Sequence, residues 1–154
     1  MKTYTVKVDD DGTTYWYLND KLHREDGPAI EEVNGTKRWF LNDKRHREDG
    51  PAVEWVDGSK EWYLNDKRHR TDGPAVEWVD GSKEWCLNGL LHRVDGPAVE
   101  WANGTKQWYL NGEQFTETDF TFETEWCKQF QKTKAPCVGK VVEIDGVKYK
   151  LVEA

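Results

Sequence analysis

The sequence predicts a mainly β protein: an elongated single-layer antiparallel sheet of 23-residue hairpin repeats, with a C-terminal amphipathic helix and a terminal β-hairpin as a cap. Tryptophan recurs at an interval of 23 residues, at positions 16, 39, 62, 85 and 108. Histidine recurs with the same interval, at positions 23, 46, 69 and 92. In each unit an Asn-Gly or Asp-Gly pair stands between two β-prone runs, which is a strong local signal for a hairpin turn.

The repeat array is predicted to span residues 1–112, and a C-terminal segment spans 113–154. Four complete units cover residues 16–107, and partial units stand at both ends. Tight two-residue turns are expected at four dipeptides, because Asn-Gly and Asp-Gly tolerate the positive φ that such turns need. These dipeptides are Asn34-Gly35, Asp57-Gly58, Asp80-Gly81 and Asn103-Gly104.

A two-residue turn at Asp57-Gly58 fixes the expected register of the hairpin around it. Val53 would face Trp62 across the two strands. Because side chains alternate between the faces of a sheet, Val53, Trp55 and Trp62 would share an apolar face with Leu64. The opposite face would then be mostly polar.

The C-terminal segment begins with the pattern of an amphipathic helix. Phe122, Trp126 and Phe130 recur at a spacing of four, which predicts a helix from about 117 to 132 that ends before Pro136. The residues that follow predict a hairpin around Asp145-Gly146, with Glu143 opposite Lys148. Helix and hairpin together are expected to cap the array.

Composition narrows the classes of function. The chain has 154 residues, of which 36% are hydrophobic and 33% charged. The formal net charge of -7 argues against bulk nucleic-acid binding, which depends on neutralising phosphates. Nine tryptophans indicate an ordered chain, because disordered acidic chains are poor in aromatic residues.

The expected location is the cytoplasm. The mean hydropathy is -0.93, and no apolar run approaches the roughly 20 residues that a membrane-spanning helix needs, so no membrane insertion is expected. The first residues lack the apolar run of a secretory signal. Three cysteines without CxxC spacing indicate neither a disulfide framework nor a zinc cage.

The unit WYLNDKRHREDGPAVEWVDG, with an aromatic residue, Asn-Asp or Asn-Gly, Lys, His and Gly at fixed offsets, resembles the MORN repeat, and more closely its bacterial and phage variants. The resemblance covers residues 1–112. The chain carries His-Arg-x-Asp-Gly-Pro-Ala where many MORN units carry His-Gly-x-Gly. The resemblance implies a scaffold, a dimerisation surface, a lipid-headgroup binder or an accessory of an enzyme. The His-Arg-x-Asp-Gly-Pro-Ala form is also similar to repeat proteins of tailed bacteriophages and bacteria.

The repeated histidines predict a structural role and no metal, cofactor or catalytic residue. Zinc needs its ligand atoms about 2.0–2.1 Å from one point, whereas equivalent residues of stacked units lie roughly 9–10 Å apart. His46 is expected to hydrogen bond Asp49 and so to fix its own turn. The same residues recur four times, as a structural requirement does and an active site does not, so no enzyme is expected. Cys86 is interpreted as a tolerated substitution of an aromatic residue.

Two groups of side chains are the candidate interaction surface. One is a column of tryptophans at equivalent positions of the units: Trp55, Trp78 and Trp101. These rings would either form an aromatic groove that binds a partner or pack in the core. The other is a basic rim at the turns between hairpins, and its members are Arg45, Arg47, Arg68 and Arg70. An alternative stays open in which Asp49 and Asp72 pair with the arginines of their own turns.

The expected function is a non-enzymatic protein-interaction scaffold or inhibitor, phage-encoded and binding a host protein in the host cytoplasm. One alternative is a binder of a small ligand such as a glycan, a nucleotide or an anionic lipid headgroup. Another is an antitoxin or immunity-type inhibitor, whose acidic charge would complement a basic toxin. A homodimer is left open.

Overall fold

The computed structural model describes residues 2–121, 141–144 and 147–150. The chain divides into two compact regions, Met1–Glu117 and Thr118–Ala154. The first region contains the whole repeat array and also strand Glu113–Phe115, which the sequence analysis grouped with the C-terminal segment. Each region is described by itself.

The mainly β fold of antiparallel hairpins is confirmed. Residues 2–121 form eighteen strands, most of them short. In chain order the strands are β1 Thr5–Val8, β2 Thr14–Leu18, β3 Lys21–Leu22, β4 Ile30–Glu31, β5 Lys37–Arg38, β6 Phe40–Leu41, β7 Lys44–Arg45, β8 Val53–Glu54, β9 Lys60–Glu61, β10 Tyr63–Leu64, β11 Lys67–Arg68, β12 Val76–Glu77, β13 Lys83–Glu84, β14 Cys86–Leu87, β15 Leu90–Leu91, β16 Val99–Glu100, β17 Lys106–Leu110 and β18 Glu113–Phe115.

The main sheet is an open antiparallel meander whose neighbours follow chain order. Its order is β1-β2-β4-β5-β8-β9-β12-β13-β16-β17-β18, with β3 pairing β2. The strands between these members form separate two-stranded hairpins, β6-β7, β10-β11 and β14-β15. Each of the three units that begin at Trp39, Trp62 and Trp85 therefore contributes one hairpin to the main sheet and one small hairpin beside it.

The predicted turn at Asp57-Gly58 is present, but its loop has three residues. The N–H of Trp55 donates to the carbonyl of Ser59 at 2.9 Å, and the N–H of Gly58 donates back to the carbonyl of Trp55 at 3.0 Å. Only the glycine takes a positive φ, of 93°. The Asp57 carboxylate accepts the N–H of Ser59 at 2.8 Å, which closes the loop.

The extra loop residue makes the predicted register wrong by one residue. Val53 pairs with Glu61 and not with Trp62, and Glu54 pairs with Lys60. A shift of one residue moves the side chains of a whole strand to the other face. Val53 and Trp55 therefore share what we call the front face with Glu61 and Tyr63, whereas Trp62 and Leu64 lie on the opposite, back face.

A second turn in each unit is the tight two-residue turn that the sequence analysis missed. Asn65 and Asp66 both have positive φ, of 52° and 65°, and they join Leu64 to Lys67. The sequence pattern predicts a long turn between hairpins at this stretch, and that prediction is wrong. The arginines at positions 45 and 68 consequently stand on strands β7 and β11.

After the small hairpin the chain pairs with Trp62, loops out of the sheet and then pairs with Trp62 again. The backbone of Trp62 accepts the N–H of His69 at 3.1 Å and donates to the carbonyl of Ala75 at 2.8 Å. Residues 70–74 therefore loop out of the sheet between two backbone hydrogen bonds to the same residue, Trp62. We call this excursion the RxDGP loop, and it recurs at 24–28, 47–51 and 93–97.

The core is thin and is shared between neighbouring units. Each unit buries one alanine and one β-branched residue at its RxDGP exit: Ala29 with Ile30, Ala52 with Val53, Ala75 with Val76 and Ala98 with Val99. Buried hydroxyls connect successive loops, because the hydroxyl of Ser59 accepts the N–H of Val79 at 3.1 Å. Each unit thus depends on its neighbours for stability, as repeat proteins do.

In the C-terminal region, residues 118–121 continue a helix that begins at 117, so the start of the predicted helix is confirmed. Phe122, Trp126 and Phe130 lie outside the described residues. Strands β19 Val141–Ile144 and β20 Val147–Lys150 pair antiparallel, with Glu143 opposite Lys148 as predicted. The role of these elements as a cap stays a prediction. Among the described residues, no helix has the length and apolarity to cross a membrane.

We predict that Gly58→Ala lowers the free energy of unfolding by about 1–2 kcal/mol, because a side chain at positive φ strains the backbone. A Cβ at this position would meet no atom within 4 Å, so the loss reports backbone conformation and not a clash. Gly58→Asn is the matched control, since asparagine adopts this conformation more readily. Urea unfolding measures both variants, and an equal loss for both would contradict the explanation.

Candidate functional site

The tryptophan column lies on the front face, where three successive units place one ring each. Trp55 and Trp101 are 38% and 41% exposed. Trp78, between them in the array, is half-buried and stacks on Trp101 with ring centroids 5.9 Å apart. Each of these residues immediately precedes a three-residue loop, so the loop geometry sets the face on which the ring stands.

The Trp55 ring is held in one orientation by polar neighbours. Its indole N–H donates to the Glu61 carboxylate at 2.9 Å. The guanidinium of Arg38 lies 5.1 Å from the ring centroid, within the range of a cation–π contact. A partner would therefore meet a ring that is already positioned.

A polar network beside the column joins two units through Arg68. Its guanidinium donates to Glu61 at 3.1 Å and to Glu84 at 2.9 Å, and Tyr63 donates its hydroxyl to Glu61 at 2.7 Å. Burial acts to raise the pKa of Glu61, but the hydrogen bonds from Tyr63 and Trp55 and the charge of Arg68 outweigh it, so this pKa is lowered. Burial raises the pKa of Glu84.

The arginine of each RxDGP loop is a clamp inside its own unit. Arg70 donates through Nε to Asp72 at 2.9 Å and through Nη1 to the Pro74 carbonyl at 3.2 Å and to Glu77 at 2.9 Å. Its guanidinium carbon lies 4.0 Å from the centroid of the Trp62 ring. The same arginine-over-tryptophan pairs recur along the array: Arg24–Trp16, Arg47–Trp39 and Arg93–Trp85.

The structure does not bring the four candidate arginines to one rim. Arg47 and Arg70 are clamps on the back face, whereas Arg45 and Arg68 belong to the front face. Arg45 donates through Nε to Asp66 at 2.8 Å and lies 4.0 Å from the Tyr63 ring centroid. All four guanidinium groups have carboxylate partners. The open alternative, in which Asp49 and Asp72 pair with the arginines of their own turns, is the arrangement present.

The repeated histidines connect each unit to the next. Nδ1 of His46 accepts the backbone N–H of Asn65 at 3.3 Å. The expected partner Asp49 instead accepts from Arg47 at 3.0 Å, so that assignment was wrong. The corresponding contacts are His23 with Asn42, His69 with Asn88 and His92 with Asn111. In the described part of the chain no group of three or more His, Cys, Asp or Glu side chains could hold a metal ion.

Three open clefts on the back face were not found by sequence reasoning. Each lies between two successive RxDGP loops, and their volumes are about 760, 540 and 520 Å³ in chain order. The middle cleft is lined by Pro51, Trp62, Leu64 and His69 and by the acidic residues of both loops. The signal that points to them is the alternation of the RxDGP loop with the Trp-x-Leu strand in every unit.

Comparison with models of protein families and with curated proteins found no match for this chain. The geometry of the two faces therefore carries the functional argument.

We predict that Arg70→Lys lowers the free energy of unfolding by about 1–2 kcal/mol, because an ammonium group cannot donate to three partners in a planar fork and also cover Trp62. Lys67→Arg is the matched control, since Lys67 is exposed and an exposed exchange changes stability by no more than about 0.5 kcal/mol. Equal stabilities of the two variants in urea would contradict the clamp.

We predict that Cys86 resists alkylation in the folded protein. The side chain is buried, and burial raises the pKa of its thiol to about 11, so little reactive thiolate forms near neutral pH. Iodoacetamide labelling at pH 8, followed by mass spectrometry of the Cys86 peptide, measures this. Rapid labelling without denaturant would contradict it, and labelling in urea is the positive control.

Proposed function

We propose that the chain is a non-enzymatic interaction scaffold that binds a protein partner through the tryptophan column on the front face. The observation that carries this proposal is the exposure of Trp55 and Trp101 at equivalent positions of a repeated sheet, with Trp78 at the same position of the unit between them and stacked on Trp101. Exposed clusters of large aromatic rings characterise binding surfaces, and tryptophan is enriched among the residues that dominate binding energy.

The surroundings of the column support protein binding. Exposed valines stand at the tips of the same loops, with Val56 and Val79 at 64% and 67% exposure, and they add apolar surface at those tips. The hydrogen bond from Trp55 to Glu61 fixes one ring before binding. A positioned ring loses little conformational entropy when a partner packs on it, and this favours affinity.

The paired arginines favour a protein over an anionic small ligand. Arg45 on the front face is already paired with Asp66, and Arg68 is already paired with both Glu61 and Glu84. A phosphate or lipid headgroup would have to displace these carboxylates. A protein that packs on the tryptophan column does not have to displace any carboxylate.

The use of the histidines supports a role without catalysis. Nδ1 of His46 is occupied by a backbone N–H, and the neighbouring Asp49 is held by Arg47. Groups that could serve as a general base and its orienting acid thus maintain the fold. The resemblance to phage and bacterial MORN variants supports a partner in the host cytoplasm.

We predict that Trp55→Ser combined with Trp101→Ser lowers capture of the specific partner from a bacterial lysate by at least about tenfold, as expected for loss of interface hot spots. Val8→Ser is the matched control, because Val8 is an exposed apolar residue of β1, outside the column. Quantitative mass spectrometry of the captured proteins, at matched stability of the variants, measures the effect. Equal capture by both variants would contradict the proposal.

A further inference from the structure

We infer that the chain forms a homodimer in which strand β1 pairs antiparallel with β1 of a second copy, about a twofold axis at Val6. The inference goes beyond the proposed function, because it concerns an edge of the main sheet and not the tryptophan column. Strand β1 pairs with β2 on one side, and within residues 2–121 no strand pairs with its other side. An unpaired edge presents backbone donors and acceptors to which another strand can bind.

The backbone groups of Val6 face this open edge. Val6 lies opposite Trp16 in the β1–β2 hairpin. The N–H of Trp16 donates to the carbonyl of Ala29 at 2.8 Å, and its carbonyl accepts the N–H of His23 at 3.0 Å, both on the side away from β1. Val6 and Trp16 therefore form the unbonded type of antiparallel pair, in which the N–H and C=O point away from the partner strand. The same groups of Val8, two residues further along, face the same way.

Strand β1 lacks the features by which edge strands usually avoid pairing. It contains no proline, and its four residues pair with β2 in a continuous register without a bulge. Val6 and Val8 are 50% and 64% exposed. The one charged side chain of β1 is turned toward its own sheet, because Nζ of Lys7 lies 5.0 Å from the centroid of the Tyr17 ring on β2. Edge strands that remain unpaired commonly carry charges, prolines or bulges in such positions.

The directions of the strands favour a second β1 as the occupant of the edge. Without β3, the twelve-stranded main sheet has eleven strands on the path from β1 to β18, and successive strands are antiparallel. Strands β1 and β18 therefore run in the same direction. Copies stacked by translation would place β18 beside β1 in a parallel pair, whereas a twofold axis places two β1 strands antiparallel, like all other pairs of this sheet. A twofold contact of this kind closes at two copies.

Side chains select the register of the pair. With the axis at Val6, Val6 faces the partner's Val6 and Tyr4 faces the partner's Val8, so the pairs on the back face are apolar. Lys7 then faces the partner's Thr5. An axis at Lys7 would instead place two lysines directly opposite each other, which is destabilising. The register at Val6 contains three bonded pairs, which exchange about six backbone hydrogen bonds.

The dimer brings the tryptophan columns of both copies to one side. Two antiparallel strands of one sheet are related by an axis perpendicular to that sheet, so the front faces of the two copies point in the same direction. A partner with two matching segments would then bind both columns, and the second contact would be intramolecular.

Sedimentation velocity of the full chain from about 1 to 200 µM tests the inference, and we expect a dimer at the upper end of this range. Val6→Pro removes a donor at the axis and leaves the β1–β2 ladder intact, since proline is tolerated on an edge where the N–H faces solvent. It is expected to weaken the dimer by at least about tenfold, because each dimer loses two hydrogen bonds.

Val33→Pro is the matched control for Val6→Pro. Val33 is 67% exposed, and it follows Glu32, whose carbonyl accepts the N–H of Gly35 at 2.9 Å. This is the second position of a β-turn, where proline is favoured, so the control is expected to remain dimeric. Urea unfolding verifies that both variants are folded. A monomer at every concentration of the unaltered chain, or equal weakening by the two prolines, would overturn the inference.

Single cysteines test the register, in chains that also carry Cys127→Ser and Cys137→Ser. Val6→Cys is expected to form a disulfide-linked dimer with oxidised glutathione, because residues of a directly bonded pair have Cα atoms about 5.5 Å apart. Val8→Cys is expected not to do so, since the two copies of this residue lie roughly 13 Å apart along the strands. Non-reducing gel electrophoresis measures both. No cross-link at Val6→Cys, or an equal one at Val8→Cys, would contradict the register.

This inference and the proposed function can fail separately. The column variant with Trp55→Ser and Trp101→Ser is expected to lose its partner and to remain dimeric. Val6→Pro is expected to be monomeric and still to capture the partner. Val8→Ser keeps all backbone groups of the edge and is expected to remain dimeric, so it stays a valid control for capture. A column variant that becomes monomeric would place the dimer contact on the front face, and it would refute pairing through β1.

Discussion

The structure depends on one backbone constraint, the positive φ of the glycine that closes each three-residue loop. With Gly58 or Gly81 in the left-handed region, the chain reverses over three residues, and the returning strand is set one residue away from the register of a two-residue turn. This single residue decides which side chains share a face. It places Trp55 opposite to Trp62, so that tryptophans stand on both faces of one sheet.

The arginine of the RxDGP loop makes the back face possible. A five-residue excursion from a ladder leaves backbone groups and an acidic side chain to be satisfied, and Arg70 meets both needs while it covers the Trp62 ring. Because every unit repeats this clamp, the loops stand at regular intervals with open space between them. The motif that appears basic in the sequence therefore produces clefts lined by arginines and carboxylates together.

The two faces offer periodic surfaces of different chemistry. The front face presents aromatic rings next to ion pairs, and the back face presents clefts lined by arginine–aspartate pairs. Periodic surfaces suit ligands that are themselves periodic or extended, since each additional unit adds a weak contact that acts together with the others.

The sequence by itself determined the 23-residue period, the mainly β class, the positions of the Asn-Gly and Asp-Gly loops and the register of the terminal hairpin around 145–146. These properties follow from local chemistry: glycine after Asn or Asp, and alternation of apolar residues. Only the tertiary structure decided the register within the repeat, because two- and three-residue loops accept the same Asp-Gly pair. It also decided the partner of His46, which lies 19 residues away on the adjacent unit, and the two partners of Arg68, of which Glu61 belongs to the preceding unit and Glu84 to its own. Sequence spacing alone cannot choose among equivalent carboxylates and amides.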